Sequence, residues 1–182
     1  MPPLKRNQVR IIGGVWRSRL IRFTPRADLR PTPDRVRETL FNWLGQDLTG
    51  KDCLDLFAGS GALGFEAASR GARRVVMVER DAASFRTLET NRAALGAEQV
   101  ELTRADALEF LQGARDRYDV VFLDPPFSTD RWDSLLQRLP PRLNDRGLVY
   151  CESGGAATLA AGWEVWRKAR AGQVTYQLLK RV

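Results

Sequence analysis

Short, nearly continuous apolar runs alternate with longer amphipathic segments along most of this 182-residue chain. Runs that are apolar on both faces are typical of parallel strands covered by helices on either side. Five such runs, followed by two closing strands around Gly172, predict an α/β fold with a mostly parallel seven-stranded sheet and a C-terminal antiparallel pair. The predicted strands cover residues 53–57, 74–79, 100–103, 118–123, 148–152, 163–167 and 174–180, and the predicted helices cover residues 62–69, 82–95, 107–114 and 131–139.

The first part of the chain has a different pattern. We expect residues 1–45 to form a basic extension of the α/β domain at residues 46–182, with both parts in one compact unit. Within residues 9–23, two strand-like runs flank a Gly-Gly pair and predict a hairpin. Thr32 is expected to cap the helix that follows, with Pro33 at its first position.

Composition restricts the chemistry that the chain can perform. It contains no histidine, which excludes histidine general bases, Ser-His triads and nearly every common zinc site, so we expect no metal. Cys53 and Cys151 both lie in apolar runs and are expected to be buried thiols in a reducing compartment. No apolar run has the length of a membrane span, and the first residues lack the apolar segment of a signal peptide. We therefore expect a cytoplasmic protein without membrane contact.

Positive charge is concentrated at the start of the chain. The formal net charge is +7, and the first 37 residues contain ten Lys and Arg against two Asp, so the excess lies entirely in this segment. Nine of the ten are arginines, whose guanidinium groups suit bidentate contacts with phosphate. The pattern favours contact with nucleic acid, and the alternative is a solvated basic surface.

A glycine-rich loop follows the first strand of the α/β domain. Gly59, Gly61 and Gly64 match G-x-G-x-x-G between a predicted strand and a predicted helix, and Glu79 ends the next strand. Glycines allow close approach of the backbone to a ligand, the helix N-terminus offers N–H groups, and an acid at Glu79 accepts hydrogen bonds from ribose hydroxyls. The motif predicts a nucleotide site, which NAD and S-adenosylmethionine both fit.

Asp55 favours the second of these nucleotides. Its carboxylate lies inside an apolar strand, where a charge is costly without a partner. The cationic amino-acid end of S-adenosylmethionine supplies one, whereas a pyrophosphate would be repelled. Asp106 and Ala107 follow the third strand of this domain and are predicted to lie near the adenine ring. A plain helix cap is an equally good interpretation of Asp106.

The segment Asp124-Pro125-Pro126-Phe127 comes directly after an apolar strand. Ligands of open α/β sheets bind at this edge. The prolines make the turn stiff and leave its carbonyl groups as acceptors, and Phe127 offers a flat apolar face. These features predict a site that holds a planar amine, and the alternative is a Pro-rich turn without a ligand.

Together with residues 55–64, this segment resembles the amino-methylating Rossmann-like methyltransferases. Residues 10–14, 29–44 and 171–176 are similar to the bacterial 16S rRNA guanine-N2 methyltransferase family, whose usual target is guanine 966 of the small-subunit rRNA. Two positions differ from that family's pattern. Ser18 stands in place of a glycine of the hairpin, and Gly154 stands in place of a second acid.

The resemblance implies a Rossmann-like class I S-adenosylmethionine-dependent methyltransferase. It implies that the substrate is 16S rRNA within a partly or fully assembled small ribosomal subunit. Nothing in the sequence demands a dimer, so we expect a monomer. The implied catalytic residues are Asp124, Pro125, Pro126 and Phe127, with Asp124 orienting the amine and stabilising its developing charge. The implied cofactor-binding residues are Asp55, Ala58, Gly59, Gly61, Glu79, Asp106, Ala107 and Asp124. With RNA as the partner, the basic N-terminal segment predicts the RNA-binding residues Arg6, Arg10, Arg17, Arg19, Arg30 and Arg35.

Three alternatives remain compatible with the sequence. Because the acid-Pro-Pro-aromatic motif does not identify the base, an adenine-N6 methyltransferase acting on DNA or RNA is the first. The second is an NAD-linked oxidoreductase, since the glycine loop is shared. The third is a non-catalytic RNA-binding module that retains a nucleotide fold.

Overall fold

The computed structural model describes residues 6–126, 131–153 and 159–182. Its helices alternate with strands from residue 52 onward, as the apolar pattern predicts. The helices are α1 (Asp34–Trp43), α2 (Ala62–Ser69), α3 (Ala82–Leu95), α4 (Ala107–Gly113) and α5 (Trp132–Arg138). The strands are β1 (Gln8–Arg10), β2 (Leu20–Arg22), β3 (Asp52–Asp55), β4 (Arg74–Val78), β5 (Val100–Thr103), β6 (Tyr118–Leu123), β7 (Leu143–Ser153), β8 (Trp163–Ala171) and β9 (Val174–Arg181).

The main sheet has seven strands in the order β5-β4-β3-β6-β7-β9-β8. Strands β3 to β7 run parallel, β9 is antiparallel to β7, and β8 is antiparallel to β9. This arrangement confirms the predicted mostly parallel sheet with its C-terminal antiparallel pair. The chain order changes direction between β3 and β6, and such a switch point opens a crevice at the carboxyl ends of the strands.

Helices cover both faces of the sheet. On one face, α1, α2, α3 and the β1–β2 hairpin contribute to a single apolar cluster with β3, β4 and β6. On the other face, α4 and α5 pack against the same strands in a second cluster. Burial on both faces explains why the central strands are apolar runs without alternation. Within the described ranges, no helix has the length and hydropathy needed to cross a membrane.

The predicted cap of α1 is wrong. Pro33 occupies the N-cap position, and α1 begins at Asp34 without a side-chain cap. The Thr32 hydroxyl instead donates a hydrogen bond to Oε1 of Glu152, at 3.1 Å. Thr32 is buried, and its hydroxyl donates to a carboxylate, a charge-assisted hydrogen bond that is stronger than one to a neutral group.

The hairpin forms although Ser18 replaces a glycine. Strands β1 and β2 pair antiparallel, and the Ser18 N–H closes the turn by donating to the Ile11 carbonyl at 2.8 Å. Ser18 has a φ of 70°, in the left-handed region that favours glycine. The second predicted departure, at Gly154, lies outside the described residues.

A buried carboxylate fastens the hairpin and α1 to α2. Both Arg37 and Glu66 are fully buried, and Arg37 Nη1 lies 3.1 Å from Glu66 Oε2. The same carboxylate accepts the backbone N–H groups of Ile12 and Gly13 and the side chain of Arg70. Arg37 therefore stabilises the protein core, although it belongs to the basic N-terminal segment.

Candidate active site

A cavity of about 460 Å³ lies at the carboxyl ends of the parallel strands, at the switch point between β3 and β6. The glycine loop and the ends of β4, β6 and β7 line it. The segment between the hairpin and α1, residues 26–33, forms a further wall. The cavity thus brings together the predicted glycine, acid and Pro-Pro motifs, and it adds residues from the extension.

The glycine loop turns sharply out of β3 into α2. Gly59 and Gly61 have φ values of 52° and 82°. A Cβ at Gly59 would lie 2.6 Å from Leu29 Cδ1, and a Cβ at Gly61 would lie 2.6 Å from the Phe65 ring. Ala58 lines the cavity beside them and hydrogen-bonds through its N–H to the Val78 carbonyl. Both the conformation and the close packing therefore require glycine at these two positions.

Glu79 is buried at the end of β4 and orders the glycine loop. Its Oε2 accepts the Gly59 N–H at 2.9 Å, and its Oε1 accepts the Asp81 N–H at 2.8 Å. Arg26 Nη1 lies 3.3 Å from the same Oε1. A carboxylate has about four acceptor positions, so these three donors leave capacity for a ligand hydroxyl. Nothing in the sequence pattern indicates that Arg26 reaches this acid.

Asp55 has an incompletely satisfied carboxylate. Its Oδ2 accepts the Gly64 N–H at 3.1 Å, while its buried Oδ1 has no hydrogen-bond partner among the described residues. Burial raises the pKa of Asp55 to about 7, against the lowering effect of backbone N–H groups. A buried acceptor of this kind fits a cationic ligand group, because such a group would restore the ionised form.

Asp106 is a helix cap and also lies at the cavity. Its Oδ1 accepts the N–H groups of Leu108 and Glu109, and its Oδ2 lies 2.9 Å from Arg131 Nη1. Burial acts to raise the pKa of Asp106, but these donors outweigh it and the pKa is lowered. Ala107, the first residue of α4, is buried at the same edge. The cap interpretation is confirmed, and a role toward adenine stays a prediction.

Asp124, Pro125 and Pro126 follow β6 and line the cavity. Burial, then the charges of Glu152 and Asp55, raise the pKa of Asp124 well above its ordinary value of 3.8. Phe127, the last residue of the predicted motif, lies outside the described residues. The three described residues have the position that the sequence predicts for an amine-binding turn.

Glu152 is a second acid of this site that the sequence did not reveal. It is buried near the end of β7, and the register Leu123↔Cys151 places it beside Asp124. Its Oε1 accepts hydrogen bonds from the Tyr150 hydroxyl at 2.6 Å and from the Thr32 hydroxyl at 3.1 Å. The only sequence signal was an acid at the end of an apolar run, without any indication of which strand would lie next to it.

The six predicted RNA-binding arginines do not all have the same environment. Arg10 is half-buried in β1, whereas Arg6, Arg17, Arg19, Arg30 and Arg35 are exposed. Arg30 lines the cavity, and Arg19 donates to the Ala94 carbonyl at the surface, at 2.7 Å. Across the parts of the chain described, no cluster of three or more His, Cys, Asp or Glu residues could hold a metal ion.

Residues 9–180 match the model of a protein family described as conserved hypothetical protein 95. The chain is 42% identical over 180 residues to ribosomal RNA small subunit methyltransferase D of Escherichia coli K12, covering 96% of this chain and 91% of the relative. The solved yhhF protein of Escherichia coli is 43% identical with a TM-score of 0.86, covering 96% of this chain and 98% of that one.

The fold extends to more distant proteins. SMU.776, solved in complex with SAH, has a TM-score of 0.73 at 16% identity, covering 100% of this chain and 58% of that one. At this identity the likeness concerns the fold alone. The matches over nearly the whole chain confirm the resemblance to a 16S rRNA methyltransferase family. This chain therefore belongs to the conserved hypothetical protein 95 family, together with the ribosomal RNA small subunit methyltransferases D.

Proposed function

We propose that this protein transfers a methyl group from S-adenosylmethionine to the exocyclic N2 of a guanine in 16S rRNA, with guanine 966 as the expected nucleotide. One observation supports this most: Asp55, with its unpartnered buried oxygen, lines the same cavity as Asp124, Pro125 and Pro126. The first feature fits a cationic methyl donor and the second fits a planar amine. Relatives named ribosomal RNA small subunit methyltransferase D support rRNA as the substrate class.

Different residues of the site would contact different parts of S-adenosylmethionine. Asp55 would accept a hydrogen bond from the amino group of the amino-acid end, and Glu79 would accept one from a ribose hydroxyl through its remaining acceptor capacity. The backbone of Ala58, Gly59 and Gly61 would contact the cofactor, and Asp106 and Ala107 would hold its adenine. When bound, S-adenosylmethionine supplies an activated methyl group on a sulfonium, which needs neither a metal nor a covalent enzyme intermediate.

The turn after β6 positions the amine. The Asp124 carboxylate and the Pro125 carbonyl accept its two N–H bonds, which directs the nitrogen lone pair toward the methyl group. Positioning of this kind supplies roughly 7–11 kcal/mol of the barrier in well-oriented reactions. As positive charge develops on the nitrogen, the same two acceptors stabilise it. The methylated amine then loses one N–H proton, which leaves readily and needs no strong general base. Asp124 acts in its ionised form, so its raised pKa makes methyl transfer fall as the pH is lowered.

The substrate reaches this cavity as an unstacked nucleotide of the rRNA. Removing a base from its stack costs a few kcal/mol, and least for an unpaired loop base. Stacking on Phe127 would return about 1–3 kcal/mol. Exposed arginines of the N-terminal extension hold the flanking phosphates, with the partly or fully assembled small subunit as the partner.

Methyl mapping tests the proposal as a whole. Small subunits purified from a strain that lacks this protein are incubated with the protein and labelled S-adenosylmethionine. The label is then located by nucleotide. We expect it on N2 of one guanine of 16S rRNA. Label on adenine alone, or binding of NAD in place of S-adenosylhomocysteine in calorimetry, would contradict the proposal.

Asp124→Ala separates the amine site from the cofactor site. This change removes one of the two acceptors for the amine, so we expect methyl transfer to fall by at least about 100-fold, as for loss of a charge-stabilising acceptor. Affinity for S-adenosylhomocysteine should stay within several-fold. Asp145→Ala, at an exposed acid between the paired residues Leu143 and Leu148 of β7, is the control with unchanged activity. Near-normal turnover in Asp124→Ala would refute the assigned role.

A further inference from the structure

The proposed mechanism leaves one buried acid of the cavity without a task. Glu152 lies beside Asp124, since β6 and β7 are parallel neighbours with Leu123 opposite Cys151. Both acids line the cavity, and Glu152 is only 8% exposed. A buried carboxylate beside a second one is costly, so a structural role alone does not account for it.

Neighbouring hydroxyls hold the Glu152 carboxylate in one orientation. From the described residues, every hydrogen bond that Glu152 accepts ends on Oε1, from Tyr150 at 2.6 Å and Thr32 at 3.1 Å. Both donors are buried and belong to different elements, β7 and the segment before α1. The second oxygen, Oε2, is therefore the one that the network leaves for a ligand. The two hydroxyls also favour the ionised form, against the burial that raises the pKa of Glu152.

The edges of the candidate bases differ at the atom next to the amine. Guanine carries N1–H beside its N2 amine, giving a row of three donors. Adenine carries an unprotonated N1 beside its N6 amine, giving an acceptor next to two donors. Two adjacent carboxylates and a carbonyl form a row of acceptors that matches the first pattern.

We propose that Glu152 determines the choice of guanine, its Oε2 accepting N1–H while Asp124 and the Pro125 carbonyl hold the amine. This inference rests on the proposed methyl transfer to guanine and adds the residue that reads the base. With adenine in the cavity, the N1 lone pair would face the carboxylate, and both acceptors would be left unpaired in a buried site. Sites built around buried hydrogen bonds reject such analogues strongly.

Glu152→Gln inverts the hydrogen-bonding character of this position. The Gln carbonyl oxygen keeps the hydrogen bonds from Tyr150 and Thr32, so its NH₂ group takes the place of Oε2. A donor then faces N1. The variant should disfavour guanine and favour 2-aminopurine, a base that keeps the C2 amine but has an unprotonated N1.

The experiment compares small-subunit rRNA carrying either guanine or 2-aminopurine at the mapped position, reconstituted into subunits. The measured quantity is the ratio of kcat/KM for the two bases, in which the intrinsic reactivity of each amine cancels between enzymes. We expect Glu152→Gln to change this ratio by about 10- to 100-fold toward 2-aminopurine. Affinity for S-adenosylhomocysteine should be unchanged, which reports an intact cavity.

Two further variants make the outcome decisive. Tyr150→Phe keeps the ring but removes one donor to Oε1, so it should change the ratio in the same direction by several-fold even if Glu152→Gln does not fold. Glu164→Gln, at an exposed acid of β8, should leave the ratio unchanged. An unaltered ratio in the folded position-152 and position-150 variants overturns the inference. Failure of the wild-type protein to methylate guanine subunits would instead overturn the proposed function on which it rests.

Discussion

Burial changes the ionisation of the carboxyl groups in the cavity. The pKa of Asp55 is raised from 3.8 to about 7 by burial, and the pKa values of Asp124 and Glu152 are raised as well. An acid with a raised pKa in the folded state binds more protons there than in the unfolded chain. The free energy of unfolding therefore falls as the pH rises, for Asp55 between about 4 and about 7. A cationic ligand group counteracts this loss because it favours the ionised acid.

The linkage predicts how cofactor affinity depends on pH. Since the cationic amino group selects ionised Asp55, affinity for S-adenosylhomocysteine should rise by up to about tenfold per pH unit below about 7 and level off above it. Asp55→Asn should bind more weakly and lose this dependence, while its carbonyl oxygen can still accept the Gly64 N–H. Isothermal titration calorimetry over this pH range measures both effects. A wild-type affinity that does not change with pH would contradict the assignment, and Asp145→Asn is the matched control.

Single residues differ in how far the sequence reveals their roles. A charged residue inside an apolar strand can be recognised from the sequence alone, so Asp55 could be identified as a carboxylate that needs a polar or charged partner. The role of Glu152 depends on which strand lies next to β7 and in which register, and neither is encoded locally. The same applies to Arg26, which reaches Glu79 across 53 positions of sequence. The sequence thus revealed motifs but not the side chains that the fold brings to them.

At the scale of elements, the hairpin depends on a single acid of α2. Each oxygen of Glu66 accepts two donors: Oε2 accepts Ile12 N–H and Arg37, and Oε1 accepts Gly13 N–H and Arg70. Glu66 and Arg37 are both fully buried. The backbone of the segment after β1 is therefore satisfied by a side chain of the α/β domain. This explains why the predicted extension packs as part of the same core.

Glu66→Gln should destabilise the protein strongly. Either orientation of the Gln amide places its NH₂ group against two donors, and the buried Arg37 loses its counter-charge. Removing one partner of a buried ion pair typically costs about 3–5 kcal/mol. Urea unfolding of the whole chain measures this change, with Glu89→Gln on the exposed face of α3 as the control. A loss below about 1 kcal/mol would mean that the pair does not fasten the hairpin.

The strands were predicted best where helices cover both faces of the sheet. The apolar runs identify β3 to β6 to within about two residues because burial on both faces leaves a clear pattern. Strand β7 begins at Leu143, earlier than expected, since Asn144, Asp145 and Arg146 are polar. Strand β8 extends to Ala171 with a mostly exposed, charged surface and a register shift near Val165. Charge and bulges are usual on an edge strand, and they obscure the alternation that reveals one.

At the scale of the whole molecule, the N-terminal extension has two sides. Its apolar residues, among them Val9, Ile21 and Phe41, belong to the same cluster as Phe65 and Phe122 of the α/β domain. Its polar side carries exposed arginines, and the segment at residues 26–33 lines the cavity. An RNA held by these arginines would therefore lie next to the opening of the site. The assignment of residues 1–45 as an RNA-contacting extension and of residues 46–182 as the methyltransferase domain stays a prediction.

Salt dependence tests whether this surface holds the RNA. Replacing Arg17, Arg19 and Arg35 by Ala removes three exposed cations from the extension. If each contacts a phosphate, the slope of log K against log salt concentration should become shallower by about 0.7 per contact, or about 2 in all. Affinity for a fragment of small-subunit rRNA would be measured by fluorescence anisotropy between about 50 and about 200 mM salt.

The control for this measurement must remove the same charge elsewhere. Arg115 and Arg117 precede β6, and Arg146 lies near the start of β7, between the paired residues Leu143 and Leu148. All three exposed arginines therefore lie at the opposite edge of the sheet from the cavity. Their triple Ala variant lowers the net charge equally but should keep the wild-type slope. Equal slopes for the two triple variants would mean that net charge alone attracts the RNA. A shallower slope for the first variant only would assign the phosphate contacts to the extension, because a released counterion reports a local contact rather than total charge.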